Sequence, residues 1–128
     1  MKKVISTLAL ALVLVMCLSI TAMAYSGSAT VNLKNTENEA TSAALACHAA
    51  KATANNSGSS NHSVSAALQF STGNGWSNYG TVTMQPGSSG NTGTWGRTDT
   101  VYLCRVQLWI PGLPWSGCTA SATMTVTE

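Results

Sequence analysis

The segment TVYLCRVQLWIPGLPWSGC, residues 100–118, holds two of the four cysteines, two of the four tryptophans and two of the three prolines. It is also the longest bulky apolar run outside the N-terminus. Read with period two, Tyr102, Cys104, Val106, Leu108 and Ile110 make an unbroken apolar face. Val101, Leu103, Arg105, Gln107 and Trp109 make a mixed one. Side chains alternate across a strand, so this pattern predicts a central strand with one face in the core and the other partly covered. Pro111 and Pro114 end it and stiffen a loop that carries Trp115. A second strand opens at Cys118, with Ala120, Ala122, Met124 and Val126 on its inner face and Thr and Ser on its outer face.

Outward from this segment, 28–33 alternates with Ala29, Val31 and Leu33 on one side. Residues 62–70 place His62, Val64, Ala66, Leu68 and Phe70 on one face. A strand with its centre at 81–84 ends at Pro86, and 94–97 reads as a short strand or ordered edge. The stretches 34–39, 55–61, 71–75 and 87–93 are rich in Gly, Ser and Asn and read as turns or loops. Residues 37–54 are ambiguous. Thr36 and Glu39 have capping-box spacing and alanine favours a helix, yet Ala43, Leu45, Cys47 and Ala49 also share one face of a strand. A strand is preferred, because a helix there would bury little beyond alanine methyls; it would form a hairpin with 62–70. The expected class is all-β, a small antiparallel β-sandwich of six to seven short strands.

Residues 1–24 stand apart. Lys2 and Lys3 precede an apolar run over 4–20, and Ala22 and Ala24 occupy the small-residue positions of a cleavage site. This predicts a signal peptide cleaved near Ala24, leaving 25–128 as a single secreted, extracellular β domain. The run is shorter than the ~20 apolar residues of a spanning helix, and Met16 before Cys17 argues against lipidation. The formal net charge of +2 belongs to the leader: Lys34, Lys51, Arg97 and Arg105 oppose Glu37, Glu39, Asp99 and Glu128. With no basic stripe, neither nucleic acid nor an anionic membrane is an expected partner of the mature chain.

Cleavage leaves Cys47, Cys104 and Cys118, enough for one bridge and one thiol. A regular hairpin would set Cys118 opposite Ile110 and six residues from Cys104, roughly 20 Å at strand rise and far beyond the ~7 Å that a disulfide spans. Tyr102 stands two residues before Cys104, which resembles the tyrosine corner of immunoglobulin domains, and the Cys47-to-Cys104 spacing is of that kind. The tryptophan expected soon after the first cysteine is absent. The sandwich is thus read as immunoglobulin-like or jelly-roll-like. Cys47–Cys104 is the preferred bridge, stapling one sheet to the other, with Cys104–Cys118 and Cys47–Cys118 behind it.

Chemistry is thinly represented. His48 and His62 lack metal-ligand spacing, so no metal or cofactor is expected. No G-x-S-x-G occurs, and Asp99 is the sole aspartate. An enzyme is therefore not expected; a small secreted hydrolase ranks behind a small exported toxin of bacteriocin type, and both rank behind a non-catalytic binding or surface-associated module. Its expected ligand is a glycan or an extracellular protein. The residues singled out are Trp76, Tyr79, Trp95, Arg97, Trp109 and Trp115, because aromatics on loops of a rigid sandwich stack on sugars or anchor partners. The competing role for each is to fill a core short of large side chains.

Overall fold

A computed structural model describes residues 26–71, 73–96, 100–112 and 115–127. The leader read at 1–24 lies outside these residues. Nine strands form among them: β1 (Gly27–Leu33), β2 (Glu39–Thr41), β3 (Leu45–Cys47), β4 (Ala49–Asn56), β5 (Val64–Ser71), β6 (Ser77–Met84), β7 (Ser89–Gly96), β8 (Tyr102–Trp109) and β9 (Ala120–Thr127). They make two antiparallel sheets packed face to face. One runs β1-β9-β4-β7; the other runs β2-β8-β5-β6, with β3 also on β8. No helix occurs among the described residues.

β2 and β3 lie end to end along one side of β8, Glu39 opposite Trp109 and Cys47 opposite Tyr102, and so act as one broken edge strand. Counting them together, the first strand pairs with the last, the second with the second-last, and so inward to the β5–β6 hairpin. The chain is one long antiparallel ribbon, rolled until β9 meets β4 and β8 meets β5. This is the jelly-roll arrangement, and it replaces the immunoglobulin-like alternative.

The ambiguous stretch resolves as strands, but not as one. At His48 the chain bends out of the five-stranded sheet and enters the four-stranded one. Leaving one layer for the opposite one reverses which side faces inward: Cys47 is buried before the bend, and Ala50, Ala52 and Ala54 are buried after it. A ring nitrogen of His48, 3.0 Å from the Thr100 carbonyl, holds the bend. The expected hairpin with 62–70 does not form, since β4 and β5 belong to different sheets. The loop expected at 87–93 is mostly β7; the turn before it is closed by Ser88 N–H donating to the Gln85 carbonyl at 3.0 Å. The division of the one strand expected over 37–54 into β2, β3 and β4 raises the strand number above the six or seven expected.

The core lies between the sheets. The inner face of β8 is buried from Tyr102 to Ile110, and that of β9 from Cys118 to Val126. Leu33, Leu68, Leu108, Ile110 and Met124 are its large members, set against the alanines of β4. Cys47 and Cys104 are bonded and fully buried. The bridge does not staple the two layers, however. Cys47 lies opposite Tyr102 and Cys104 opposite Leu45, so it joins diagonal positions on neighbouring strands of one sheet. Cys118 is a free, buried thiol whose Sγ is 3.4 Å from the His62 carbonyl oxygen.

Candidate functional site

The half-apolar face of β8 looks outward. There, Trp109 sits opposite Ser65 of β5, Gln107 opposite Ala67, and Arg105 opposite Gln69. Being second from the edge of its sheet, β5 is flanked on both sides, and Ser65, Ala67 and Gln69 are buried although they point away from the core. A buried carboxamide must find partners, and Gln69 finds three. Its Nε2 donates to Asn78 Oδ1 and to Gln107 Oε1, both at 2.8 Å, and its Oε1 accepts from Arg105 Nε at 2.7 Å. Gln107 Nε2 in turn reaches Glu39 Oε2 at 3.5 Å. A polar chain thus crosses the sheet from Glu39 on β2 to Asn78 on β6, over three strand spacings or about 14 Å.

Asn78 reaches this face through a bulge. The β5–β6 register shifts between Ala66 and Leu68, where Val82 and Tyr79 are the opposing residues. Gly80, at φ +66°, absorbs the extra residue. Without it, Asn78 would share the inward side of Val82 and Met84. Trp76, in the loop before β6, lies beneath Arg105, whose guanidinium carbon is 4.0 Å from the ring centroid. At the other end, Trp109, Gln107, Asn78 and Glu39 border a cleft of about 350 Å³.

The six residues singled out from the sequence do not converge. Trp76 and Trp109 share the outer face just described. Tyr79 points to the inward side of β6, where its hydroxyl donates to the Thr94 carbonyl at 3.4 Å and bridges the open edge between β6 and β7. Trp95 is not a loop aromatic: it belongs to β7, stacks on Phe70 at 4.1 Å and meets Tyr102 edge-on at 4.4 Å. Arg97 lies outside the described residues, as does Asp99. Trp115 is 51% exposed, tilts against His62 at 4.9 Å, and borders a second cleft with Thr36, Glu37, Asn38, Glu39 and Ser116. Glu39 is common to both clefts.

Gln69, Asn78, Arg105, Gln107 and Glu39 were not singled out. Their signal was faint: polar residues at alternate positions of apolar strands read as an ordinary solvated face. Among the described residues, no group of three or more His, Cys, Asp or Glu is arranged to hold a metal. His48 sits at the Tyr102 end of β8 and His62 near its Trp109 end, so the two histidines are separated by most of a strand. Comparison with protein-family models, curated proteins and solved structures yields no match for the chain.

Proposed function

We propose that this is a secreted, non-catalytic binding module whose ligand is a glycan held on the outer face of the five-stranded sheet. The observation that carries the reading is the Gln69-centred chain of hydrogen bonds beside Trp109. A sugar ring presents an apolar C–H face and a rim of hydroxyls that both donate and accept. Trp109 offers a surface for the first. Gln107, Asn78 and Glu39 offer amide and carboxylate groups for the second. Because these side chains already hold one another, little rotamer freedom is lost when a ligand arrives. Among the described residues Glu39 is the one carboxylate bordering this cleft, whereas glycosidic cleavage ordinarily uses a pair.

Calorimetric titration of the processed chain against neutral and acidic oligosaccharides tests the reading. Trp109→Ala and Gln107→Ala are expected to weaken binding by about tenfold or more, the cost of losing one stacking or hydrogen-bonding group. Failure of every oligosaccharide to bind, or a Trp109→Ala variant that binds like the native chain, overturns it. A second reading, a protein partner, is favoured by Val101 and Leu103, which are 45% and 48% exposed at the far end of β8. That reading requires Leu103→Ser, not Trp109→Ala, to abolish binding.

A further inference from the structure

We infer that the ligand of this face is an acidic glycan, with a sugar carboxylate seated on Arg105; the inference rests on the glycan reading above. Arg105 is fixed on two sides by neutral groups. Its Nε–H donates to Gln69 Oε1 at 2.7 Å, and its guanidinium lies over Trp76. Gln69 is itself held by Asn78 and Gln107, so Arg105 is aimed by a chain of side chains and does not swing freely in solvent. A guanidinium has two edges that can grip a carboxylate. Gln69 takes the Nε edge. The edge formed by the two Nη groups is the planar fork that matches a carboxylate's two oxygens.

No carboxylate among the described residues pairs with Arg105. Glu39 lies opposite Trp109, four strand residues away, or about 13 Å at strand rise. A partly buried cation is normally compensated by an anion. Here it is supported by an amide oxygen and a π face, which position the charge without neutralising it. The guanidinium also covers one face of Trp76 and keeps a neutral sugar from stacking on that face. A neutral ring is left with the Trp109 end, and an anionic substituent with the Arg105 end. The two ends are joined by Gln107 and Gln69, so one short oligosaccharide engages both.

The test uses three soluble probes, trigalacturonate, a hyaluronan tetrasaccharide and sialyllactose, each alongside its neutral methyl ester, titrated calorimetrically into the processed chain. At least one acid is expected to bind about tenfold or more tightly than its ester, as for a charge-assisted bidentate contact. Its affinity should fall as salt rises. Arg105→Gln should bring the acid down to the level of the ester. Arg105→Lys should recover only part of the difference, because an ammonium keeps the charge and lacks the fork. Inorganic sulfate and acetate at the same concentrations should bind far more weakly, since they lack the ring that reaches Trp109. Equal affinity for acid and ester needs no variant to interpret: it overturns the acidic ligand and leaves the glycan reading standing. So does simple anion binding that Trp109→Ala does not affect. Absence of binding by all six sugars overturns both.

Discussion

Asn56, at the end of β4, is fully buried and ties one layer to the other by side-chain hydrogen bonds. Its carboxamide nitrogen donates to the carbonyls of His62 and Met84, each at 3.0 Å, and its backbone pairs with Ser88 and Gly87. Asn56→Ala takes the buried partner from the Met84 carbonyl and leaves the His62 carbonyl with only the Cys118 thiol, so it should cost about 1–3 kcal/mol in denaturant unfolding. Asn56→Asp should cost more at pH 7, because it sets an acceptor-only carboxylate against two carbonyl oxygens. Burial and those oxygens raise the folded-state pKa of that aspartate above its unfolded value. The excess penalty therefore grows as pH rises above the unfolded value of about 4 and vanishes below it. A penalty that does not shrink between pH 7 and pH 3.5 would refute this. Gly80→Ala is expected to unfold the β6 bulge, since a Cβ there would lie 2.0 Å from the Thr92 carbonyl oxygen. Such residues are the ones that alternation alone does not reveal. Alternation carried through 76–84 puts Asn78 with Val82, and only the extra residue at Gly80 separates them.

At the scale of the element, the broken edge strand shows how a ladder survives an interruption. Between β2 and β3, Ser42 N–H donates to the Val106 carbonyl at 2.9 Å, and Ser42 Oγ accepts from Val106 N–H at 3.0 Å. The hydroxyl stands where a strand carbonyl would be, and its own proton goes to the Ala43 carbonyl at 2.9 Å. Ser42→Ala leaves Val106 N–H buried and unpaired. It should destabilise the protein by about 1–2 kcal/mol and speed amide exchange at Val106 more than at Leu68. Uniform exchange across β5 and β8 would count against that role. The legible elements were those with one core face along their whole length: β1, β5, β8 and β9. The first half of β7 reads as a loop because Gly90, Asn91 and Gly93 have no bulk to alternate, and only its second half, within 94–97, reads as a short strand or ordered edge. β3 and β4 were read as one strand because nothing in the pattern marks His48 as the crossing between layers.

For the whole molecule, the Cys47–Cys104 bridge closes a span of 57 residues. In the chain-entropy account, a loop of that size contributes about 4 kcal/mol by restricting the unfolded chain. Reduction should therefore lower the melting temperature by about 15 °C or more for a domain of this size. Residues 25–128, unfolded and unreduced, should show one reactive thiol, Cys118, and the folded domain none, as thiol titration reads directly. The resemblance to the tyrosine corner favours this pairing but not its place in the fold, because that resemblance implies a bridge between facing layers and the bond lies within one. The candidate site was half legible for a related reason. Tryptophan stands out in any sequence, so Trp76 and Trp109 drew attention. The amides between them gain meaning only once register places Gln69 beside Arg105 and Gln107.

The rolled ribbon also sets a schedule. β8 lies between the broken edge strand and β5, and β9 lies between β1 and β4, so the last two strands are the keystones of both layers. A chain emerging N-terminus first has seven strands by Gly96 but only two of the seven strand pairings, β4–β7 and β5–β6. The five-stranded layer cannot close until β8 has arrived, and the four-stranded layer cannot close until β9 has. A chain truncated at Gly96 is expected to show no cooperative unfolding transition in denaturant. If residues 1–24 serve as the signal peptide we propose, the delay also suits a polypeptide that must stay threadable while it crosses a membrane.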